Sequence, residues 1–111
     1  MSSIVASEKL WAQRPNEDPF EIEIIVGLPY QLGAEPEEWA CPVGLKPLYS
    51  KLRDVHAGSS FQALCLASAL VLDLLDGFKA KGGELFYAPG EGFPLEAYAF
   101  GVAVRPPAGS S

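Results

Sequence analysis

Between residues 58 and 83 the chain sets a nearly unbroken apolar run between two groups of helix-ending signals. Ser59 suits the N-cap, and Gln62, three residues on, can reach back to the cap's own backbone N–H to complete a capping box. Lys79 and Lys81 place positive charge near the negative end of the helix dipole, and Gly82 can adopt the left-handed conformation that stops a helix. Phe61, Leu64, Cys65, Ser68, Leu72, Leu75 and Phe78 recur at helical spacing and predict one broad stripe facing a core. Leu66, Leu70, Val71 and Leu74 widen it, which leaves Gln62, Ala69, Asp73, Asp76 and Ala80 as the water-facing line. Burying a Leu-sized side chain is worth about 1.5–3 kcal/mol. A stripe this wide therefore predicts cover on more than one side, by the C-terminal segment or by a second chain. Asp73 and Asp76 in the run argue against a membrane span and for a buried helix.

Around the helix the period changes to two. Positions 4–13 alternate loosely, and Pro15, Asn16, Glu17, Asp18 and Pro19 compose a turn. Phe20, Ile22, Ile24 and Val26 then point one way while Glu21 and Glu23 point the other, as in a half-buried antiparallel strand. Residues 27–36, rich in Gly and Pro, read as a loop. Trp39, Cys41, Val43 and Leu45 again share a face, and Pro42, with no amide donor, makes this third strand an edge or a bulged strand. Residues 84–87 read as a fourth strand, 88–94 as a turn-rich loop. Over 95–104 the alternation of Tyr98, Phe100, Val102 and Val104 favours a strand, because Gly101 and the two valines weaken a helix. The fold class that follows is α+β: an antiparallel meander of four to five strands with one long helix packed across one face. The expected organisation is a single domain over 1–105 and a flexible tail at 106–111, with no internal repeat.

Composition narrows the functional classes. The chain has 111 residues and a net charge of −6, with eight Lys and Arg scattered along it. Nucleic acid is thereby disfavoured as a partner, since phosphate binding needs clustered bases. Glu17, Asp18, Glu21, Glu23, Glu35, Glu37 and Glu38 read as a solvated face, or more sharply as a surface that attracts a basic protein. No basic segment followed by an apolar one opens the chain, so the expected location is cytoplasmic. Cys41 and Cys65 are isolated and there is one histidine, which excludes the usual zinc ligand sets. They read as two buried free thiols, with a single strand-to-helix disulfide left open.

Trp39-Ala40-Cys41, followed by Gly58-Ser59-Ser60-Phe61-Gln62-Ala63-Leu64-Cys65-Leu66-Ala67, resembles a family of small uncharacterised bacterial domains. Its members carry a W-x-C strand and a G-x-x-S-x-Q-A-L-x-L-A helix start, which this chain meets from Ser60 onward. The likeness spans the second to the fourth strand, and the segment after about residue 95 looks like an extension. The resemblance implies a bacterial, stand-alone small protein, and bears on fold more than on function.

Candidate chemistry is sparse. His56, with Asp54 before it and Ser59 and Ser60 after, is the one group that invites a catalytic reading; a loop histidine beside a capping serine is the plainer explanation. Arg53, His56 and Ser59 form the candidate anion or ligand region, next to a helix N-terminus. Gln62 is explained by the capping box. Trp39 reads as core packing, with an interface anchor as the alternative. The sequence reading assigns no catalytic residue, cofactor or metal. It favours a non-catalytic protein-binding domain, specifically an immunity- or antitoxin-like protein whose Glu35, Glu37 and Glu38, with Trp39, cover a basic toxin's cleft. A homodimeric structural or regulatory domain is the second reading. A small-ligand-binding protein or hydrolase built on Arg53, His56 and Ser59 is the third.

Overall fold

The structure, a computed structural model, describes residues 3–99. The α+β architecture is as the sequence predicts: antiparallel strands with one long helix packed against them. In chain order the elements are β1 (Ile4–Gln13), β2 (Phe20–Gly27), β3 (Tyr30–Ala34), β4 (Glu37–Cys41), β5 (Val43–Lys46), β6 (Val55–Ala57), α1 (Ser60–Ala80), β7 (Glu84–Ala88) and β8 (Glu91–Gly92), followed by a 3-10 helix (Leu95–Ala99).

The strands do not form one meander. They divide between a five-stranded sheet, β5-β2-β1-β7-β8, and a three-stranded sheet, β3-β4-β6. Pro42 is the cause of the division. The expected third strand is two strands, β4 and β5, broken at this proline, whose carbonyl accepts from the Gly27 N–H at 2.8 Å. A residue with no amide donor cannot continue a ladder on both sides, and the chain changes sheet there. Residues 27–36, expected as a loop, contain β3, and β6 was likewise hidden in irregular sequence.

In the larger sheet the register sets two faces. Leu10 and Ala12 lie opposite Ile22 and Phe20, and Val43 and Leu45 lie opposite Val26 and Ile24, all on the side that meets α1. On the other side Lys9 faces Glu23, Glu23 faces Lys46, and Trp11 sits between Glu21 and Phe86. The β1–β2 turn falls at residues 15–17 with Asn16 at φ 62°, a conformation asparagine tolerates.

Helix α1 packs on both sheets and buries Ala63, Ala67, Val71, Leu75 and Phe78. The predicted stripe is therefore rotated about the helix axis. Leu75 and Phe78 belong to it, while Phe61, at 75% exposed, and Cys65 face outward. The small side chains at 63 and 67 let the helix approach the strands closely, and large residues are pushed to its flanks. Leu64, Leu70 and Leu74 lie there, half-buried against the core, and Leu66 is exposed. The predicted water-facing line of Gln62, Ala69, Asp73, Asp76 and Ala80 is exposed throughout. By length and composition alone α1 is apolar enough to cross a membrane, with a mean hydropathy of 1.6 over its most apolar window, but here one side of it is buried against strands.

Both helix ends follow the sequence signals with one shift. The Ser59 hydroxyl accepts from the Gln62 N–H at 3.1 Å, whereas the Gln62 side chain accepts from Gly58 N–H, one residue before the cap. At the far end Gly82 has φ 93°, and Gly83 donates to the Phe78 carbonyl. A Cβ on Gly83 would stand 2.3 Å from the Phe78 ring, so the ring can fold over the helix terminus only because this position is bare.

Residues 95–99 are a 3-10 helix where a strand was expected. Pro94 starts it by offering its carbonyl to Ala97, and Tyr98 stacks on Phe93 with ring centroids 4.4 Å apart. The rest of the expected 95–104 strand, the domain end at 105 and the tail at 106–111 lie outside the described residues. The cysteines are free and unlike: Cys41 is buried, its thiol donating to the Gly27 carbonyl at 3.3 Å, while Cys65 is exposed rather than buried as expected.

Candidate functional site

The β3–β4 hairpin carries the acidic residues singled out in the sequence, and strand geometry separates them. Successive side chains point to opposite faces, so Glu37 and Trp39 share one face of β4 and Glu38 lies on the other. Trp39 packs against the core and its indole N–H donates to the Glu37 carboxylate at 2.6 Å. This is the core-packing role, with a polar tether added. Glu38 meets His56 Nδ1 at 3.2 Å across the β4–β6 pair. Glu35 occupies the exposed turn before Pro36. The expected single acidic face is thus a hairpin with carboxylates on both sides and at its tip.

The face of the small sheet that bears Glu38 holds a polar array. Tyr30, Ala40 and His56 stand in one row across β3, β4 and β6. Because the central residue is only a methyl, the Tyr30 hydroxyl reaches over it to donate to Asp54 at 2.5 Å, and Ala40 is fully covered. That hydrogen bond, with lesser contributions from desolvation and the Asp54 charge, raises the phenol above its ordinary pKa. Burial, and secondarily the same carboxylate, pushes the Cys41 thiol up. Sequence reading noted Asp54 only as a neighbour of His56 and missed Tyr30. Gly27, Pro29, Gly33 and Pro36 around Tyr30 make the segment read as a loop, and the register shift between Gln31 and Gly33 breaks any alternation.

Tyr30 and Asp54 also border a cleft of about 700 Å³ where the two sheets diverge, with Ile4, Leu28, Lys46 and Tyr49 among its lining. An ammonium and a carboxylate therefore open into one partly apolar cleft. A proton stays on the Tyr30 phenol, which is committed as a donor.

Arg53, His56 and Ser59 do not form one site. His56 pairs with Glu38, the Ser59 hydroxyl accepts the helix-capping N–H, and the Arg53 side chain is exposed. No group of three or more His, Cys, Asp or Glu side chains among the described residues is placed to hold a metal ion. Comparison with protein-family models, with curated proteins and with solved structures yields no match for this chain.

Proposed function

We propose that this chain is a protein-binding domain without catalysis of its own, of the immunity- or antitoxin-like kind, whose partner is a basic protein such as a toxin. The observation that carries this reading is the β3–β4 hairpin with the segment leading into it. Leu28, Tyr30 and Leu32 are exposed there, at 57%, 40% and 48%, beside the exposed carboxylates of Glu35, Glu37 and Glu38. From residue 15 to residue 45 the chain has seven acidic residues and no Lys, Arg or His. Large apolar side chains beside exposed carboxylates suit a partner that brings apolar anchors and positive charge together. Tyrosine is enriched among the residues that dominate interface energies.

The test is capture from lysate of the source organism at low and high salt, with wild type and Glu35→Gln/Glu37→Gln/Glu38→Gln compared by mass spectrometry. The proposal expects one dominant basic partner, weakened by salt and by the triple substitution. A partner retained equally by both forms at both salts overturns the acidic-hairpin mechanism. The homodimer remains a second reading because Phe61, Cys65 and Leu66 leave an apolar strip exposed on α1. Light scattering that gives a monomer at micromolar concentration removes it.

A further inference from the structure

The larger sheet carries a second concavity on the face away from α1. Trp11 and Gln13 alternate with the inward-facing Leu10 and Ala12, so both point to this outer side. With Pro19, Phe86, Pro89 and Gly90 they line an apolar pocket of about 400 Å³. Trp11 is 39% exposed in it.

The charged groups that pair with Trp11 and Gln13 across the ladder are both carboxylates. Glu21 lies opposite Trp11, and Glu84 lies opposite Gln13 in the next row. On the other side of the Trp11 row, Lys9, Glu23 and Lys46 stand side by side across the ladder, each base next to an acid. Glu21 and Glu84 have no such basic neighbour across the ladder. Arg14, the nearest base in sequence, lies over the Phe20 and Phe78 rings, 5.0 and 5.9 Å from their centroids, and so belongs to the side of the sheet that α1 covers. The Gln13 side-chain N–H donates to the Glu17 carbonyl at 2.8 Å, which leaves its own side-chain oxygen for a ligand.

We propose that this pocket takes an arginine side chain presented by a partner protein. A guanidinium is planar, weakly hydrated and rich in donors. It can stack on the Trp11 indole while its N–H groups meet the Glu21 and Glu84 carboxylates and the Gln13 oxygen. The aliphatic stem of the same side chain packs against Pro19, Pro89 and Phe86. A lysine ammonium supplies the charge without the flat face, and an anionic ligand is repelled by the Glu21 and Glu84 carboxylates. The inference rests on the basic-partner reading only for the source of the arginine.

The chain contains two tryptophans, so the indole N–H signals of Trp11 and Trp39 in a proton–nitrogen correlation spectrum report on the two sites separately. The wild-type chain is titrated with acetyl-Gly-Arg-Gly-amide and with its citrulline counterpart, which keeps the shape and loses the charge. The expected result is a saturable shift of the Trp11 signal with the Trp39 signal still, and binding about tenfold weaker for citrulline and for Glu21→Gln/Glu84→Gln. No shift, a shift equal for both peptides, or one unchanged by the double substitution overturns the proposal. Glu35→Gln/Glu37→Gln/Glu38→Gln serves as the separating control. It leaves this titration intact while reducing capture of a whole partner, so failure of the pocket and failure of the hairpin are told apart.

Discussion

Tyr98 anchors the 3-10 helix to the rest of the molecule: its hydroxyl donates to the Glu8 carboxylate at 3.0 Å and is hydrogen-bonded to the Tyr87 hydroxyl. Burial first, then these two partners, drives its phenol well above the ordinary tyrosine value. Tyr30 is shifted the same way by its bond to Asp54. A raised pKa means that the folded chain holds the proton more tightly than the unfolded one. The associated stability is therefore complete below the ordinary value of about 10 and is lost as pH rises through the higher folded-state value. Denaturant unfolding at several alkaline pH values is expected to show stability falling above about pH 10, and Tyr98→Phe is expected to flatten that fall. An equal slope in the variant would place the linkage elsewhere. Thiols offer a second residue-scale check. Exposed Cys65 should react with a disulfide reagent in the native protein, whereas Cys41, buried and with its thiolate disfavoured, should react only on unfolding.

Helix α1 existed in the sequence with its caps, its length and its water-facing line, because those depend on residues within a turn of one another. Which side it buries depends on what it meets. Ranking by size favours Phe61 and Leu72, yet close approach to the strands favours the alanines at 63 and 67, both wholly inaccessible. Ala67→Leu is expected to destabilise by about 1–3 kcal/mol through overpacking. Phe61→Ala, at a position 75% exposed, is expected to stay within about 0.5 kcal/mol of wild type. Urea unfolding of the two variants measures this, and the opposite order would restore the predicted stripe. Among the strands, β1 and β2 were legible from alternation, and β7 was read as a strand in all but its last residue, Ala88. The segments β3 and β6 were not, since Gly27, Pro29, Gly33 and Pro36 in one case and a three-residue length in the other leave no periodic signal.

The described residues span 51 × 44 × 19 Å, two layers thick, with a radius of gyration of 15.9 Å. A rounded domain of this size has about 13 Å. Small-angle scattering of the monomer is expected to give the larger value and a flat particle, and a value near 13 Å would contradict the open two-sheet arrangement. A thin layer leaves one side of each sheet bare, which puts Trp11 on one outer face and the Tyr30–Asp54 pair on another. The linear chain already contained the α+β class, the long capped helix, the turn at residues 15–19, an irregularity at Pro42 and the acidic character, because each arises from local sterics, capping chemistry or composition. The division into two sheets, the rotation of the helix, the separation of Glu37 from Glu38, and the meeting of Trp11 with Phe86 or Tyr30 with Asp54 were decided by tertiary structure. Each of these depends on strand register and sheet order between distant segments, and residues at such separations carry no mark of their pairing in a single sequence.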